Sequence, residues 1–322
     1  MAGEAKTILA YSENPDTLFE LLSEARELAG KIQGEAAAVL LGEKVEANLE
    51  ELGAYGASKV YIVENPQLKG FQVEAYTDAL YGVAEQVKPE LILIGATKRG
   101  KELAPRLAQR LKTGCVAECV GFEVADGEIQ MKRIVYAGKV SSLQKVKGKP
   151  AVATVPPRLF EKRKAEGKAE AVSLQVEVKA PKAEILEVKP KEVSGVRIEE
   201  AEVVVCGGRG IKSKEDFKLL EELAEILGGQ VGCSRPIAAD RGWFTEWVGL
   251  SGKKVKPTLY FAVGVSGAIQ HVAGIRGSKI VVAINKDPEA PIFADADYGI
   301  VGDLYKVLPA LIESLKKHLK KG

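Results

Sequence analysis

The sequence predicts an α/β protein with two domains, each built on a parallel sheet that helices cover. Its 322 residues exceed the usual length of a single domain, which is about 100–150 residues. Short runs such as LILIG (91–95) are apolar along their whole length, as is typical of parallel strands buried on both faces. These runs alternate with longer segments whose apolar residues recur at helical spacing, which is the pattern of α/β proteins.

In the first half, strands and helices alternate from the beginning of the chain. The strands are short apolar runs, and the helices are expected to end near glycine or proline. In chain order we expect a strand ILAYS (8–12), a helix TLFELLSEARELAGKI (17–32), a strand AAAVLLG (36–42), a helix ANLEELGAYG (47–56), a strand SKVYIVEN (58–65), a helix EAYTDALYGVAEQVKP (74–89), a strand and loop LILIGATKRG (91–100) and a helix KELAPRLAQRLKTG (101–114).

The segment GFEVADGEIQMKRIVYAGKVSSLQKV (121–146) alternates apolar and polar residues around a DG turn. This pattern indicates an antiparallel hairpin, which we expect to be added to the parallel sheet. PPRLFEKRKAEGKAEAV (156–172) has two prolines and a run of charges, typical of a surface connection. The strand-like segments SLQVEVK (173–179) and AEILEVKPKEV (183–193) complete a first domain that we place at residues 1–194.

The second domain, residues 195–322, repeats the α/β pattern, and Ser213 is expected to cap its first helix. In chain order we expect a strand AEVVVCGG (201–208), a helix SKEDFKLLEELAEILGG (213–229), strands LYFAVG (259–264), KIVVAIN (279–285) and DYGIVGD (297–303), and an amphipathic helix LYKVLPALIESLKKHLKK (304–321).

Composition excludes several classes of protein. The 46 basic and 44 acidic residues leave a net charge of +2, which gives no reason to expect nucleic acid or a membrane surface as a partner. No apolar run approaches the roughly 20 residues that span a bilayer, and MAGEAKTILAYSE (1–13) lacks a signal-peptide pattern. Four cysteines without a CxxC pair argue against a zinc site and favour a reducing, cytoplasmic location. Asparagine is scarce while lysine and glutamate are abundant, which fits a thermophilic source.

Candidate binding residues follow the strands of the second domain. Arg209 lies in GGRGIKSKED (207–216), where glycines would let the backbone approach a phosphate and the next helix would offer free N–H groups. This segment lacks the GK[ST] unit of a P-loop and the last glycine of GxGxxG. A nucleotide loop and a plain strand-to-helix turn therefore remain alternatives.

The segment GCSRPIAADRGW (232–243) places Ser234 and Arg235 at another strand end, where Pro236 is expected to end regular structure. Arg209 and Arg235 both follow strand ends, and in open parallel sheets the ligand crevice lies outside these carboxyl ends. The arginine at position 209 favours a bound anion there. A lone histidine is more often structural, and His318 lies in a solvated lysine-rich tail. The remaining candidates are Ser251 and Gly252 in VGLSGKK, Ser266, Gly267, Gln270 and His271 in GVSGAIQH, and Asn285 and Asp303. The set suggests a nucleotide or dinucleotide site, with no catalytic triad and no metal site.

The segment LYFAVGVSGAIQHVAGIRGSKIVVAINKDPEAPIFADADYGIVGD (259–303) resembles the C-terminal signature of electron transfer flavoprotein alpha subunits. The resemblance extends to ILAYSE (8–13), LILIGATKRGKELAPRLAQRL (91–111), YAG (136–138) and GGRGIKS (207–213). It implies a heterodimer with a beta subunit, in which the N-terminal domain packs on the beta subunit and the C-terminal domain holds one FAD. AMP or a second FAD would belong to the beta subunit.

The resemblance also implies roles for the candidate residues. Arg209 would lie near the flavin, Ser234 and Arg235 beside the isoalloxazine, and Ser251 opposite flavin N5. Ser266, Gln270 and His271 match the family's ISGAIQH segment, while Asn285 and Asp303 match contacts to the ADP half. Arg235 and His271, as a donor or as a cation, would stabilise the negative charge that reduction places on the flavin N1–C2=O edge. The protein would bind and tune the flavin, which carries the redox chemistry.

One position departs from the family pattern. Leu250 stands where the family usually has glutamine, which resembles the branch of Fix-type, carnitine-pathway and electron-bifurcating proteins. The first expectation is a carrier that takes electrons from dehydrogenases and passes them to a quinone oxidoreductase or another acceptor. The alternatives are the alpha half of an electron-bifurcating, NADH-oxidising flavoprotein, and a nucleotide-binding regulatory module without a redox role.

Overall fold

The computed structural model describes residues 6–138, 140–183, 185–188 and 197–319. The chain divides into two compact units, Met1–Val188 and Lys189–Gly322. The predicted boundary between residues 194 and 195 lies outside the described residues. Each unit has its own parallel sheet covered by helices, so the predicted fold class is confirmed.

The first unit has a seven-stranded sheet in the order β10-β3-β2-β1-β4-β9-β5, in which every pair of neighbours is parallel. Its elements are β1 (Lys6–Tyr11), α1 (Pro15–Ile32), β2 (Gly34–Gly42), α2 (Leu49–Ala54), β3 (Lys59–Glu64), α3 (Val73–Val87), β4 (Leu91–Gly95), α4 (Lys98–Arg110), β5 (Cys115–Val116), β6 (Cys119–Ala125), β7 (Glu128–Val135), β8 (Val140–Gln144), β9 (Ala151–Val155) and β10 (Glu170–Ser173).

The first sheet is buried on both faces, as its unbroken apolar runs predict. All five residues of β4 are buried. Ile8 and Leu9 are neighbours on β1, and their side chains join separate apolar clusters on the two faces of the sheet. Burial on both faces explains why these strands read as continuous apolar runs rather than as alternating ones.

Helix α4 begins three residues earlier than the apolar spacing indicates. The Thr97 side chain accepts a hydrogen bond from the backbone N–H of Gly100 at 3.0 Å and so caps the helix. Gly100 packs against the end of β4, where a Cβ atom would lie 1.8 Å from the Gly95 carbonyl oxygen. The cap and this close approach, rather than apolar spacing, decide where the helix begins.

The predicted hairpin is present, but it does not extend the parallel sheet. Strands β6, β7 and β8 form a separate three-stranded antiparallel sheet. The turn residues Asp126 and Gly127 have φ values of 53° and 75°, both positive, as a two-residue type I′ turn requires. Cys119 and Met131 are fully buried in the cluster beside α1, so this sheet covers one face of the core instead of pairing with an edge.

The segment expected to be only a surface connection contains an edge strand. β10 pairs in parallel with β3, and Glu170 lies opposite Lys59. The Leu174 N–H still donates to the Ile62 carbonyl of β3 at 2.9 Å, but residues 175–178 belong to no strand, although their burial alternates as their apolar pattern predicted. They run along α3 instead, where Val176 packs on Gly82 and the Gln86 side chain donates to the Gln175 carbonyl at 3.0 Å. The described residues of 183–193, which are 183 and 185–188, form no strand.

The second unit has five parallel strands in the order β12-β11-β13-β14-β15. Within the described ranges no helix has the length and apolar character needed to cross a membrane. The elements of this unit are β11 (Val203–Gly207), α5 (Phe217–Ile226), β12 (Gln230–Cys233), β13 (Leu259–Val263), α6 (Ile269–Ile275), β14 (Ile280–Asn285), β15 (Tyr298–Val301) and α7 (Leu304–Leu319).

Ser213 does not cap the first helix of this unit, because α5 begins only at Phe217 and Asp216 occupies the capping position. The backbone N–H of Ser213 donates to the Asp216 carboxylate at 3.0 Å, and the Tyr305 hydroxyl donates to the same oxygen at 2.6 Å. These bonds, with that of Tyr305 first, lower the pKa of Asp216. A contact from α7, distant in sequence, therefore holds residues 213–216 outside the helix.

Replacing Asp78 on α3 by alanine is expected to destabilise the first unit by about 1–3 kcal/mol, because its carboxylate accepts charge-assisted hydrogen bonds. Asp78 is 7% exposed, pairs with the Arg110 guanidinium, and accepts from the backbone N–H of Lys179 at 3.1 Å. Urea unfolding followed by far-UV circular dichroism measures the change. Fluorescence of the two tryptophans, which both lie in the second unit, is expected to show an unchanged transition.

The matched control is Glu85→Ala on the exposed side of the same helix. This substitution is expected to change the free energy of unfolding by less than about 0.5 kcal/mol. Equal unfolding curves for the two variants would contradict a stabilising role for Asp78.

Candidate functional site

The carboxyl ends of β11 and β13 lie side by side where the strand order of the second sheet reverses. Gly207 is opposite Val263 in their parallel register. After β11 the chain moves outward to β12, whereas after β13 it moves the other way to β14. This reversal leaves a crevice, and open α/β sheets bind their ligands at such a point.

The loops that follow these two strands touch backbone to backbone. The Gly208 N–H donates to the Val263 carbonyl at 2.8 Å, and the Gly210 N–H donates to the Gly264 carbonyl at 3.1 Å. A Cβ atom on Gly208 would lie 2.3 Å from the Gly264 carbonyl oxygen, and Gly264 itself has a φ of +62°. Glycine is required here for close approach and for backbone conformation.

Two cavities open at this point. The first cavity has a volume of about 250 Å³ and is bounded by the ends of β11 and β12, the loop at 247–251 and the start of α6. The second cavity has a volume of about 500 Å³ and lies toward the ends of β14 and β15. Arg209 and Ser266 line both cavities, so the two are adjacent.

Nine of the eleven predicted site residues line these cavities. The first cavity is lined by Ser234, Arg235, Ser251, Gln270 and His271, the second by Asn285 and Asp303, and both by Arg209 and Ser266.

Gly252 and Gly267 line neither cavity and serve packing instead. A Cβ atom on Gly252 would lie 2.2 Å from the Trp247 carbonyl oxygen, and one on Gly267 would lie 2.2 Å from the Ile292 nitrogen. Gly267 also has a φ of +85°. These glycines allow the loops to close, and the neighbouring serines line the cavities.

Ser234 and Arg235 are held at the end of β12 by backbone bonds. The Ser234 N–H donates to the Gly207 carbonyl at 2.8 Å, and the Ser234 carbonyl accepts from Ile237 at 3.0 Å. Pro236 does not end regular structure as expected, because Pro236–Asp240 form one π-helical turn. A proline is tolerated at the start of a helical turn, where its missing N–H would have no partner. Ser234 is buried and Arg235 is exposed.

The loop that carries Leu250 and Ser251 is fixed against α6. The Leu250 N–H donates to the Gln270 carbonyl at 2.7 Å. Gly274 allows direct contact, since a Cβ atom there would lie 2.4 Å from Gly249 Cα. Leu250 lines the first cavity and is 46% exposed. An apolar side chain thus occupies a place where an amide would have offered a donor and an acceptor.

His271 is 7% exposed and lies between the first cavity and the sheet. Its Nε2 is 2.9 Å from the Tyr260 hydroxyl, whereas its Nδ1 is buried and has no hydrogen-bond partner among the described residues. Burial lowers the pKa of His271 from 6.5 to about 4, and a weaker backbone interaction with Val248 raises it. The imidazole is therefore neutral at pH 7, and it can act there as a hydrogen-bond donor but not as a cation.

In the second cavity, Asn285 and Asp303 also hold the backbone. The Asn285 amide donates to the Val265 carbonyl and accepts from the Asp287 N–H, at 2.9 Å and 3.0 Å. The Asp303 carboxylate accepts from the Tyr305 N–H at 3.0 Å at the start of α7. Asn285 thus finds protein partners and needs no ligand to satisfy its amide, although both side chains line the cavity.

Sequence reasoning did not single out four further residues of the site. Trp247 lines the first cavity, Lys286 and Tyr305 line the second, and Tyr260 contacts His271 from the sheet. Lys286 directly follows Asn285, so the rule that ligands bind at strand ends could have found it. In the sequence, Tyr260 is indistinguishable from the other apolar residues of a buried strand. Nothing in the sequence predicts that its hydroxyl contacts a residue of the site.

Comparison with protein families accounts for both units. The family model for the electron transfer flavoprotein domain matches residues 13–183. The family model for the electron transfer flavoprotein FAD-binding domain matches residues 197–276, which include the loops that follow β11 and β13. The expectation of a flavin cofactor is therefore supported at the level of the domain.

Individual relatives match over almost the whole chain. The electron transfer flavoprotein subunit alpha of Thermoanaerobacterium thermosaccharolyticum is 43% identical, with 92% of each chain covered. Protein FixB of Clostridium saccharobutylicum is 42% identical over 92% of this chain and 91% of its own. The lactate dehydrogenase (NAD(+),ferredoxin) subunit LctC of Acetobacterium woodii is 39% identical over 92% of this chain and 73% of its own. With these matches the resemblance noted in the sequence is confirmed, and the chain belongs to the electron transfer flavoprotein alpha-subunit family.

Proposed function

We propose that this chain binds one FAD across the two cavities and acts as the alpha subunit of a heterodimeric electron carrier. The flavin ring lies in the first cavity and the ADP half lies in the second. The observation that carries this proposal is the adjacency of the two cavities, which share Arg209 and Ser266 at the point where the strand order reverses. An elongated ligand with a ring at one end and a nucleotide at the other suits such a pair.

The residues present fit FAD in size and in chemistry. The two cavities together lie within the range of about 300–1,000 Å³ that is usual for ligand sites. Arg209, which lines both cavities, is an exposed cation suited to a cofactor with two phosphates, and Arg235 adds an exposed cation at the first cavity. The buried Nδ1 of His271, without a partner among the described residues, belongs to a ring that lines the first cavity.

FAD supplies the redox chemistry when it is bound, and the side chains of this chain bind and tune it. Arg235 contributes a positive charge at the rim of the first cavity, where solvent screens it. His271 contributes a neutral donor from a buried position, so charge and hydrogen bonding come from different residues. Both would favour the reduced, negatively charged edge of the flavin and raise its midpoint potential.

The partner of this chain is a beta subunit that carries AMP or a second FAD. The relative from Thermoanaerobacterium is named as a subunit, which supports a heteromeric assembly. Electrons would come from dehydrogenases and pass to a quinone oxidoreductase or another acceptor.

A second candidate function is that of the alpha half of an electron-bifurcating, NADH-oxidising complex. Leu250 in the first cavity, where the family usually has an amide, favours this branch. The name of the relative LctC, lactate dehydrogenase (NAD(+),ferredoxin) subunit, mentions both NAD(+) and ferredoxin, and that relative is 39% identical. The two functions differ in the flavin content of the complex and in its reaction with NADH.

The test is an absorbance spectrum and a flavin count on this chain co-purified with its beta subunit, before and after NADH. One FAD per heterodimer that NADH does not bleach is the result expected of a carrier. Two FAD with bleaching by NADH would establish the bifurcating function instead. A colourless complex that binds AMP or ATP and cannot take up FAD would leave only a non-redox nucleotide module.

Replacing Arg235 by alanine is expected to lower the midpoint potential of the bound flavin, because a cation near the reduced edge is lost. The effect should shrink with salt, since the screening length falls from about 30 Å at 0.01 M to about 3 Å at 1 M. Spectroelectrochemical titration at both ionic strengths measures it.

The control for this experiment is Arg106→Ala, an exposed arginine on α4 in the first unit. It should leave the potential unchanged at both salt concentrations. A potential that is the same in the Arg235→Ala complex and in the wild type would remove Arg235 from the site.

The stability of the second unit is expected to fall as the pH is lowered from about 6.5 to 4. In this window the unfolded chain protonates His271, whereas burial holds the folded pKa at about 4. The folded state therefore binds fewer protons, and the loss from this residue reaches about 3 kcal/mol near pH 4. Urea unfolding monitored by tryptophan fluorescence at pH 7 and pH 4.5 measures it.

Carboxylates titrate in the same window, so the comparison is with His271→Gln. The stability difference between this variant and the wild type should change in favour of the variant at pH 4.5. Parallel pH profiles for the two proteins would show that His271 is not held neutral by the fold.

A further inference from the structure

A row of three buried polar side chains leads from the second sheet to the first cavity. Cys206 on β11 and Tyr260 on β13 are fully buried, and His271 on α6 is 7% exposed. The Tyr260 hydroxyl is hydrogen-bonded to the side chain of Cys206 and is also 2.9 Å from Nε2 of His271. Tyr260 therefore stands between the thiol and the imidazole, and its single proton can be given to only one of them.

Two arrangements of protons satisfy these contacts. In the first, the Cys206 thiol donates to the Tyr260 oxygen, the hydroxyl donates to Nε2, and the neutral imidazole keeps its proton on Nδ1. In the second, Nε2–H donates to the Tyr260 oxygen and the hydroxyl donates to sulfur, so Nδ1 is left as a bare acceptor. The thiol proton then has no partner in the row.

The first arrangement is favoured by the strengths of the acceptors. An imidazole nitrogen is a good acceptor, whereas sulfur is a weak one. Burial raises the pKa of both Cys206 and Tyr260, so the thiol and the hydroxyl keep their protons and each has one to donate.

We propose that Tyr260 is a positioning residue of the flavin site, whose hydroxyl donates to Nε2 of His271 and thereby keeps the imidazole proton on Nδ1. The ring that lines the first cavity is then held in one tautomer, with the proton on its buried Nδ1. A buried hydrogen bond on the far nitrogen also fixes the orientation of the ring, as the outer partners of histidine ligands do in other sites. The effect on the flavin rests on the proposed function, but the position of the proton does not.

The first test is the NMR spectrum of the full-length chain labelled with ¹⁵N-histidine, at pH 7. The sequence has only two histidines, and His318 on α7 is exposed, so it supplies an internal reference. We expect His271 to show a protonated Nδ1 and an unprotonated, hydrogen-bonded Nε2. A proton on Nε2 in the wild-type protein would overturn the proposal, whatever any variant does.

The second test is the same spectrum of Tyr260→Phe, which removes the hydroxyl and keeps the ring. Loss of one hydrogen bond of about 1 kcal/mol should shift the ratio of the two tautomers about fivefold toward Nε2–H. The matched control is Tyr61→Phe, a buried tyrosine on β3 of the first unit, which should leave the His271 signals unchanged. An unchanged ratio in a folded Tyr260→Phe protein would exclude the positioning role. If this variant does not fold, the wild-type spectrum still decides.

The third test uses the FAD-loaded complex with the beta subunit. Tyr260→Phe should reduce the affinity for reduced flavin relative to oxidised flavin about fivefold, seen as a lower midpoint potential, whereas Tyr61→Phe should match the wild type. A wild-type complex that takes up no FAD would refute the proposed function and leave the proton on Nδ1 as measured. A complex that binds FAD but has its His271 proton on Nε2 would refute the role of Tyr260 alone.

Discussion

The cavities of the second unit depend on one backbone contact, between the loop that follows β11 and the loop that follows β13. The loops approach so closely that the backbone of Gly264 leaves no room for a Cβ atom on Gly208. Arg209 directly follows Gly208, and Ser266 lies two residues after Gly264. The contact that joins the loops therefore also brings together the two side chains that line both cavities. A wider gap between the loops would separate the two cavities.

Polar residues around the site hold the protein structure as well as line the cavities. Asn285 ties the end of β14 to the loop after β13, and Asp303 caps α7. From the other side, the Tyr305 hydroxyl accepts from the Lys212 N–H at 2.8 Å and steadies the loop after β11. These bonds within the chain hold residues that line the second cavity. His271 differs, since its buried Nδ1 makes no hydrogen bond of ordinary geometry among the described residues.

Much of the fold followed from the sequence, because parallel strands and amphipathic helices leave local patterns of apolar residues. The strand at LILIG and the turn at Asp126 and Gly127 are examples. Residues 175–178 show the limit of such patterns. Their alternating burial is real, but it results from packing on α3 rather than from pairing with another strand. Periodicity reports which side of a segment is buried and not what covers it.

For the site, the sequence by itself determined which residue types stand at the strand ends, and through its long signature it determined the family. Only the tertiary structure decided how these residues divide between two cavities, because that depends on the order of the strands. It also decided that Arg235 is exposed while His271 is buried and neutral. The contact of Tyr260 with His271 was also decided by the tertiary structure, since the hydroxyl on β13 meets the imidazole on α6 only when these two elements pack together. Local composition specifies the groups, and long-range packing sets their environment, on which charge state and hydrogen bonding depend.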